Sequence, residues 1–302
     1  MSKNIRKWLS PPDPWKNHNI ARESQHTGTG VWWIHGETFP KWKYSSPSSL
    51  LWLHGKRQCL RRDYFPTTHD LHLCSGSREE HPLVHSYFHV FLPETNKVPS
   101  PSSSIIQNIR SMCESGLASL AFFYCDFRED QKRHCRGLLS SLLVQLCEQS
   151  DAYYDALSKF HSAHKDGSQH ASDSELAQCL KDLLALPGQA TAYIVIDALD
   201  ECPMTTGLLS PREEVLGFVE ELVRLQVQNL RVCVMSRPEA DIDIVLSPLE
   251  SRSVSLHGEK GHVQDIAEYV KRVINTDRNM QKWRKEDKEL VIRALTEKAG
   301  GM

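Results

Sequence analysis

The run "AYIVIDALDE", residues 192–201, is an apolar stretch that closes on Asp197, with Asp200 and Glu201 just beyond it. A buried strand delivers such an acid to the carboxyl edge of a sheet, where ligands bind in open α/β folds. A carboxylate there is a hard oxygen ligand of the kind Mg²⁺ takes. Asp200 or Glu201 is placed to polarise a water for attack on a terminal phosphate. A second apolar run, "LRVCVMSRP" (230–238), ends on Arg237, whose guanidinium can reach a phosphate and report its presence. Taken alone, the first run also fits an ordinary strand with an acidic turn, and the second a solvated loop charge.

A third stretch, "SSLLWLHGKRQCLRRDYF" (48–65), begins like a phosphate-binding loop. Leu50 to Leu53 read as a short buried strand, and Gly55-Lys56 stand where the loop would open. The pattern G-x-x-x-x-G-K-[ST] then requires Gly, Lys and Ser or Thr at 60, 61 and 62, and the chain supplies Leu60, Arg61 and Arg62. Gly permits close backbone approach to phosphate, and Ser or Thr supplies a metal ligand that Arg cannot. Arg61 keeps a positive charge, but as a wide planar fork rather than a compact ammonium.

These residues need a scaffold, and the pattern supplies one. Strand-length apolar runs fall at 50–53, 117–127, 192–201 and 230–238, with a probable fifth strand at 252–258 read from "RSVSLHG". Helical spacing marks 102–113, 135–149, 174–186, 210–225, 262–274 and 285–299. Ser210, Pro211 and Glu213 form a capping box with Pro at the first helical position. Apolar strands alternating with helices predict a parallel sheet covered on both faces. Residues 1–47 are Trp-rich; "HTGTGVWWIHG" has Trp33 where a dinucleotide fingerprint needs its third Gly, so the segment reads as a loop packing Trp32, Trp33, Phe39 and Trp42 on the next domain.

The 302 residues carry a net charge of −2, which gives no electrostatic case for nucleic acid. The short cluster Arg57, Arg61, Arg62 lacks an aromatic platform and does not change that. No run reaches the ~18 apolar residues of a membrane span, and the basic N-terminus has no apolar stretch behind it. Nine cysteines, an odd number without regular spacing, point to reduced thiols and a cytoplasmic protein.

Together, strand–Gly55-Lys56, "YCDFRED" (124–130), "YIVIDALDEC" (193–202) and "VCVMSRPE" (232–239) resemble the NACHT-type NTPase module of fungal STAND proteins, also described as the nephrocystin-3-like N-terminal domain. The likeness runs over roughly 5–56 and 102–302. It implies a three-layer α/β P-loop NTPase fold with a mostly parallel five-stranded sheet and a helical C-terminal extension. It divides the chain into a lead-in (1–47), a core (48–258) and that extension (259–302). It implies ATP or GTP with Mg²⁺ as ligand, Asp197 as the metal carboxylate, Asp200 and Glu201 as the neighbouring acids, Arg237 as sensor, and Gly55, Lys56 and Arg61 at the phosphates. Such modules act as conformational switches, and self-association or protein partners are expected through C-terminal domains beyond "LTEKAGGM".

The departure from the family pattern begins after Lys56. Residues 57 to about 101 hold five of the fifteen His and five of the fifteen Pro and have neither helical nor strand period. They read as intron read-through or a shifted frame in the gene, with an evolved insertion as the alternative. Cys59, His69, His72 and Cys74 match none of the usual four-ligand zinc spacings. The expectation is weak or absent nucleotide binding, the rival being a scaffold that keeps the fold for interaction or oligomerisation.

Overall fold

The computed structural model describes residues 2–23, 31–45, 49–55, 101–205, 209–249, 252–256, 260–276 and 280–301. Its centre is a five-stranded sheet of β1 (Ser49–His54), β2 (Ala118–Tyr124), β3 (Thr191–Asp197), β4 (Leu230–Ser236) and β5 (Arg252–Ser255). The spatial order is β2-β3-β4-β1-β5, and every pairing is parallel. Strands β2 and β4 are buried along their whole length. Their unbroken apolar sequence follows from being covered on both faces.

Alternate strand residues feed two separate cores, which makes the fold three-layered. One face carries Leu50, Trp52, Ala121, Phe123, Ile194, Ile196, Val232 and Val234. Over it lie helices Cys135–Cys147, Asp151–Ala163, Asp173–Leu184 and Pro211–Arg224, which bring Leu142, Leu157, Leu180 and Leu222 to 0% exposure. The other face carries Leu51, Leu53, Leu120, Phe122, Tyr193, Val195 and Cys233, covered by Ile105, Ile106 and Ile109 of helix Pro101–Glu114.

The lead-in is not the loop expected from its composition. It forms the short helices Lys3–Leu9, Trp15–Glu23, Val31–His35 and Thr38–Lys43. Trp33, Phe39 and Trp42 are buried in the second core, as expected, beside helix Pro101–Glu114. Trp42 Nε1 donates to the Ser49 carbonyl at 3.2 Å, and the Tyr193 hydroxyl donates to the Lys43 carbonyl at 2.9 Å. Packing therefore stabilises helices too short to persist alone. Helix Asp151–Ala163 also escaped the sequence pattern, although Ser150 caps it through Tyr153 N.

The Ser210–Glu213 capping box forms as read, and a second one, Ser172–Glu175, opens helix Asp173–Leu184. Two C-terminal helices, Lys260–Thr276 and Lys285–Gly301, follow β5. No helix among the described residues is long and apolar enough to cross a membrane.

Helix Cys135–Cys147 abuts the turn Asp130–Lys132 so tightly that a Cβ on Gly137 would lie 1.8 Å from the Gln131 carbonyl oxygen. Gly217, inside helix Pro211–Arg224, has nothing within 4 Å of a built Cβ. Gly217→Ala is expected to stabilise the protein by about 0.5–1 kcal/mol through helix propensity. Gly137→Ala is expected to destabilise it by about 2 kcal/mol, because the turn must move. Urea midpoints of the two variants check the opposite signs.

Candidate functional site

The parallel register sets β1, β3 and β4 to end together. Ile196 is level with Val234, while Leu53 and His54 are level with Met235 and Ser236. Asp197, one residue past Ile196, thus stands at the carboxyl edge, with the end of β4 between it and the end of β1. Trp52 Nε1 donates to Ser236 Oγ at 2.9 Å and ties β1 to β4 beneath this edge.

At Asp197 the chain turns sharply. Ala198 takes a left-handed conformation with φ 57°, a position that costs a residue with a Cβ about 1 kcal/mol or more. Its N–H donates to Asp197 Oδ1 at 2.9 Å. The turn Leu199–Glu201 follows, with Leu199 buried as its anchor. Asp197 Oδ2 accepts a 2.6 Å hydrogen bond from Ser102 Oγ, in the first turn of helix Pro101–Glu114. Ser102 is fully buried.

The other acids are brought to the same edge. Asp200 Oδ1 accepts from the Arg237 backbone N–H at 3.1 Å, and its Oδ2 lies 3.2 Å from Arg237 Nε. The expected sensor is thus paired with one of the expected catalytic acids. Glu201 Oε2 accepts from the Phe127 N–H at 3.4 Å, linking the ends of β2 and β3. Gly55 closes β1 at this edge and is half-buried; Lys56 and Arg61 lie outside the described residues, as do the Cys and His of the zinc alternative. Among the described residues no group of three or more His, Cys, Asp or Glu is gathered for a metal, and seven cysteines are free thiols.

Two contributors were not legible as site residues. Arg212, which no motif singled out, is buried. Its Nε donates to the Cys202 carbonyl at 2.9 Å and its Nη2 to the Asp200 carbonyl at 2.6 Å. Its Nη1 meets Glu239 at 2.6 Å and Asp241 at 3.2 Å. One guanidinium thus fixes the turn after β3 to the segment after Arg237. Ser102 was visible only as the start of a helix.

The lead-in reaches the same edge from β2. Asn17 Nδ2 donates to Asp126 Oδ2 at 2.9 Å, and Lys16 Nζ meets Glu129 at 2.5 Å. Burial alone would raise the Asp126 carboxyl; hydrogen bonds from the Arg128 side chain and N–H, with that of Asn17, hold it far below the usual range. Buried Lys132 contacts Asn17 Oδ1 at 2.5 Å and Glu129 at 3.0 Å. His18 is fully buried; desolvation first, then Arg22 and Arg110, lower its pKa from 6.5 to about 4.

Residues 101–237 match the family model described as nephrocystin 3, N-terminal. The similarity begins with the helix that carries Ser102 and ends on Arg237, so it takes in Asp197, Asp200 and Glu201. No curated protein matches the chain.

Arg212→Ala is expected to lower stability by about 3 kcal/mol, since it strands Glu239, Asp241 and two carbonyls. Arg212→Lys is expected to recover little, because an ammonium cannot span that fork of partners. Chemical unfolding of both variants measures this. For His18 the folded pKa lies below the unfolded one, so the unfolded chain takes up the proton first as pH falls. Its contribution therefore costs stability progressively from pH 6.5 down to about 4. His18→Asn is expected to flatten that part of the pH–stability curve, seen by comparing urea midpoints at about pH 7 and about pH 5.

Proposed function

We propose that the carboxyl edge of this sheet binds a nucleoside triphosphate, ATP or GTP, together with Mg²⁺, and that the bound nucleotide sets a conformational switch. One observation carries this: a hydroxyl from the first turn of the helix after β1 meets the carboxylate at the end of β3, 2.6 Å away across 95 residues of sequence. P-loop NTPases hold Mg²⁺ with a hydroxyl and a carboxylate in those two places. The similarity to the nephrocystin 3 N-terminal domain over 101–237 supports the same assignment.

The donors suit the metal. Mg²⁺ takes hard oxygens, commonly one or two carboxylates plus phosphate. Ser102 and Asp197 would hold it, and when bound it neutralises phosphate charge. Arg237 is closed on Asp200, so a terminal phosphate would compete with that carboxylate for the guanidinium. Releasing Asp200 would loosen the turn that Arg212 joins to Glu239 and Asp241, and so pass the presence of phosphate to the loops. Glu201 is the remaining acid for orienting a water. The phosphate side is the weaker half: Leu60, Arg61 and Arg62 replace the Gly, Lys and hydroxyl of the loop pattern. We therefore expect weak affinity and slow turnover at best.

Calorimetry with ATP and with GTP, in Mg²⁺ and in EDTA, tests this. Weak Mg²⁺-dependent binding is expected, reduced at least about tenfold, or 1.4 kcal/mol, by Asp197→Asn and by Ser102→Ala. Wild-type protein that binds neither nucleotide would instead favour the scaffold.

A further inference from the structure

β2 lies at one end of the sheet, and among the described residues it pairs with β3 alone. Its outer side is met by two glutamines, one in helix Cys135–Cys147 and one just past its end. Gln145 Oε1 accepts from the Phe122 N–H at 3.1 Å, and its Nε2 donates to the Phe122 carbonyl at 2.8 Å. Gln149 Oε1 accepts from the Leu120 N–H at 2.9 Å, and its Nε2 donates to the Leu120 carbonyl at 2.6 Å. Each carboxamide thus gives one strand residue the acceptor and the donor that a neighbouring strand would give it.

The spacing explains why two glutamines can do this. Leu120 and Phe122 are two apart, so their N–H and C=O groups turn to the same side, about 6.6 Å apart along the strand. Gln145 and Gln149 are four apart, about 6 Å along a helix axis. The later glutamine meets the earlier strand residue, so the helix runs against the strand. Gln145 Nε2 also donates to Ser141 Oγ at 3.0 Å, and Gln149 Nε2 to the Gln145 carbonyl at 2.8 Å. Both carboxamides are therefore held in this orientation.

The strand has little other protection. The run "LASLAFFYC", residues 117–125, contains no charge, proline or glycine. An apolar run of that kind with an open edge pairs with its like. β5, at the opposite end of the sheet, has only four residues, and shortness is itself a guard. β2 has seven.

We propose that Gln145 and Gln149 form an edge lock, which occupies the backbone groups through which β2 of a second copy would extend the sheet. A second copy is the occupant because its identical strand can pair with this one about a two-fold axis, each offering the same groups to the other. The lock does not depend on the nucleotide assignment. It bears on the scaffold reading instead: with the lock closed, copies of this chain associate through surfaces other than this edge.

Three measurements test it. Amide hydrogen exchange on the wild-type protein is expected to show Leu120 and Phe122 as well protected as the β2 amides that face β3; exchange as fast as in exposed turns overturns the lock. Sedimentation velocity over a range of concentrations then compares wild type with the double variant Gln145→Ala, Gln149→Ala. The variant is expected to self-associate at concentrations at least about tenfold lower than wild type. The third measurement repeats this with Gln145→Ala, Gln149→Lys, which removes the same bonds but sets a charge at the edge. That variant is expected to stay as dispersed as wild type. An alanine pair that associates no more than wild type overturns the proposal and leaves the glutamines as stability contacts. A lysine variant that associates as readily as the alanine pair overturns it too, because the association then does not run through the edge. If the alanine pair does not fold, Gln149→Ala alone, at an exposed position, carries the same comparison.

Discussion

The hydrogen bond between Ser102 and Asp197 ties the start of helix Pro101–Glu114 to the end of β3. It can form only if the helix after β1 begins at the level where β3 ends. β4 lies between those two strands, so the alignment is fixed by the registers β1–β4 and β4–β3 rather than by any direct pairing. Both cores must be filled to keep that register: a slip of one residue would exchange the side chains of every strand between the faces. The burial of Trp52, Tyr193 and Phe122 on alternate faces is thus as much a part of the site as the acids.

A second constraint is electrostatic. The turn after β3 and the segment after β4 carry Asp200, Glu201, Glu239 and Asp241 within a small region. Two arginines balance them in different ways. Arg212 is buried and uses three of its nitrogens on four partners, so it holds one arrangement. Arg237 is more exposed and bound to a single carboxylate, so its partner can be exchanged at lower cost.

Much of this was legible in the sequence. Asp197 and Arg237 stand directly at the ends of β3 and β4 because buried strands end where their apolar runs end. The Ser210 box and the core helices are local patterns and were found as such. The lead-in was not, because its helices are only five to nine residues long and hold their shape by packing, Ile5 and Leu9 in the first core and Trp33, Phe39 and Trp42 in the second. Ser102 was not read as a site residue because the loop motif looks for its hydroxyl eight residues after β1, whereas space supplies it from position 102.

That difference explains how one half of the site can persist when the other is altered. The hydroxyl–carboxylate pair depends on long-range packing, which does not measure the length of chain between β1 and the helix. The two ends meet their partners although 45 residues lie between Gly55 and Pro101 in the sequence. The phosphate cradle depends on consecutive backbone N–H groups and on Gly at set positions, and it has no such tolerance. Leu60 and Arg62 depart from that pattern in the sequence, while Ser102 is bonded to Asp197 and Arg237 to Asp200. On the proposed assignment such a site would keep the geometry for a metal while its hold on phosphate is weakened, and the cation dependence of binding would then be more informative than a hydrolysis rate.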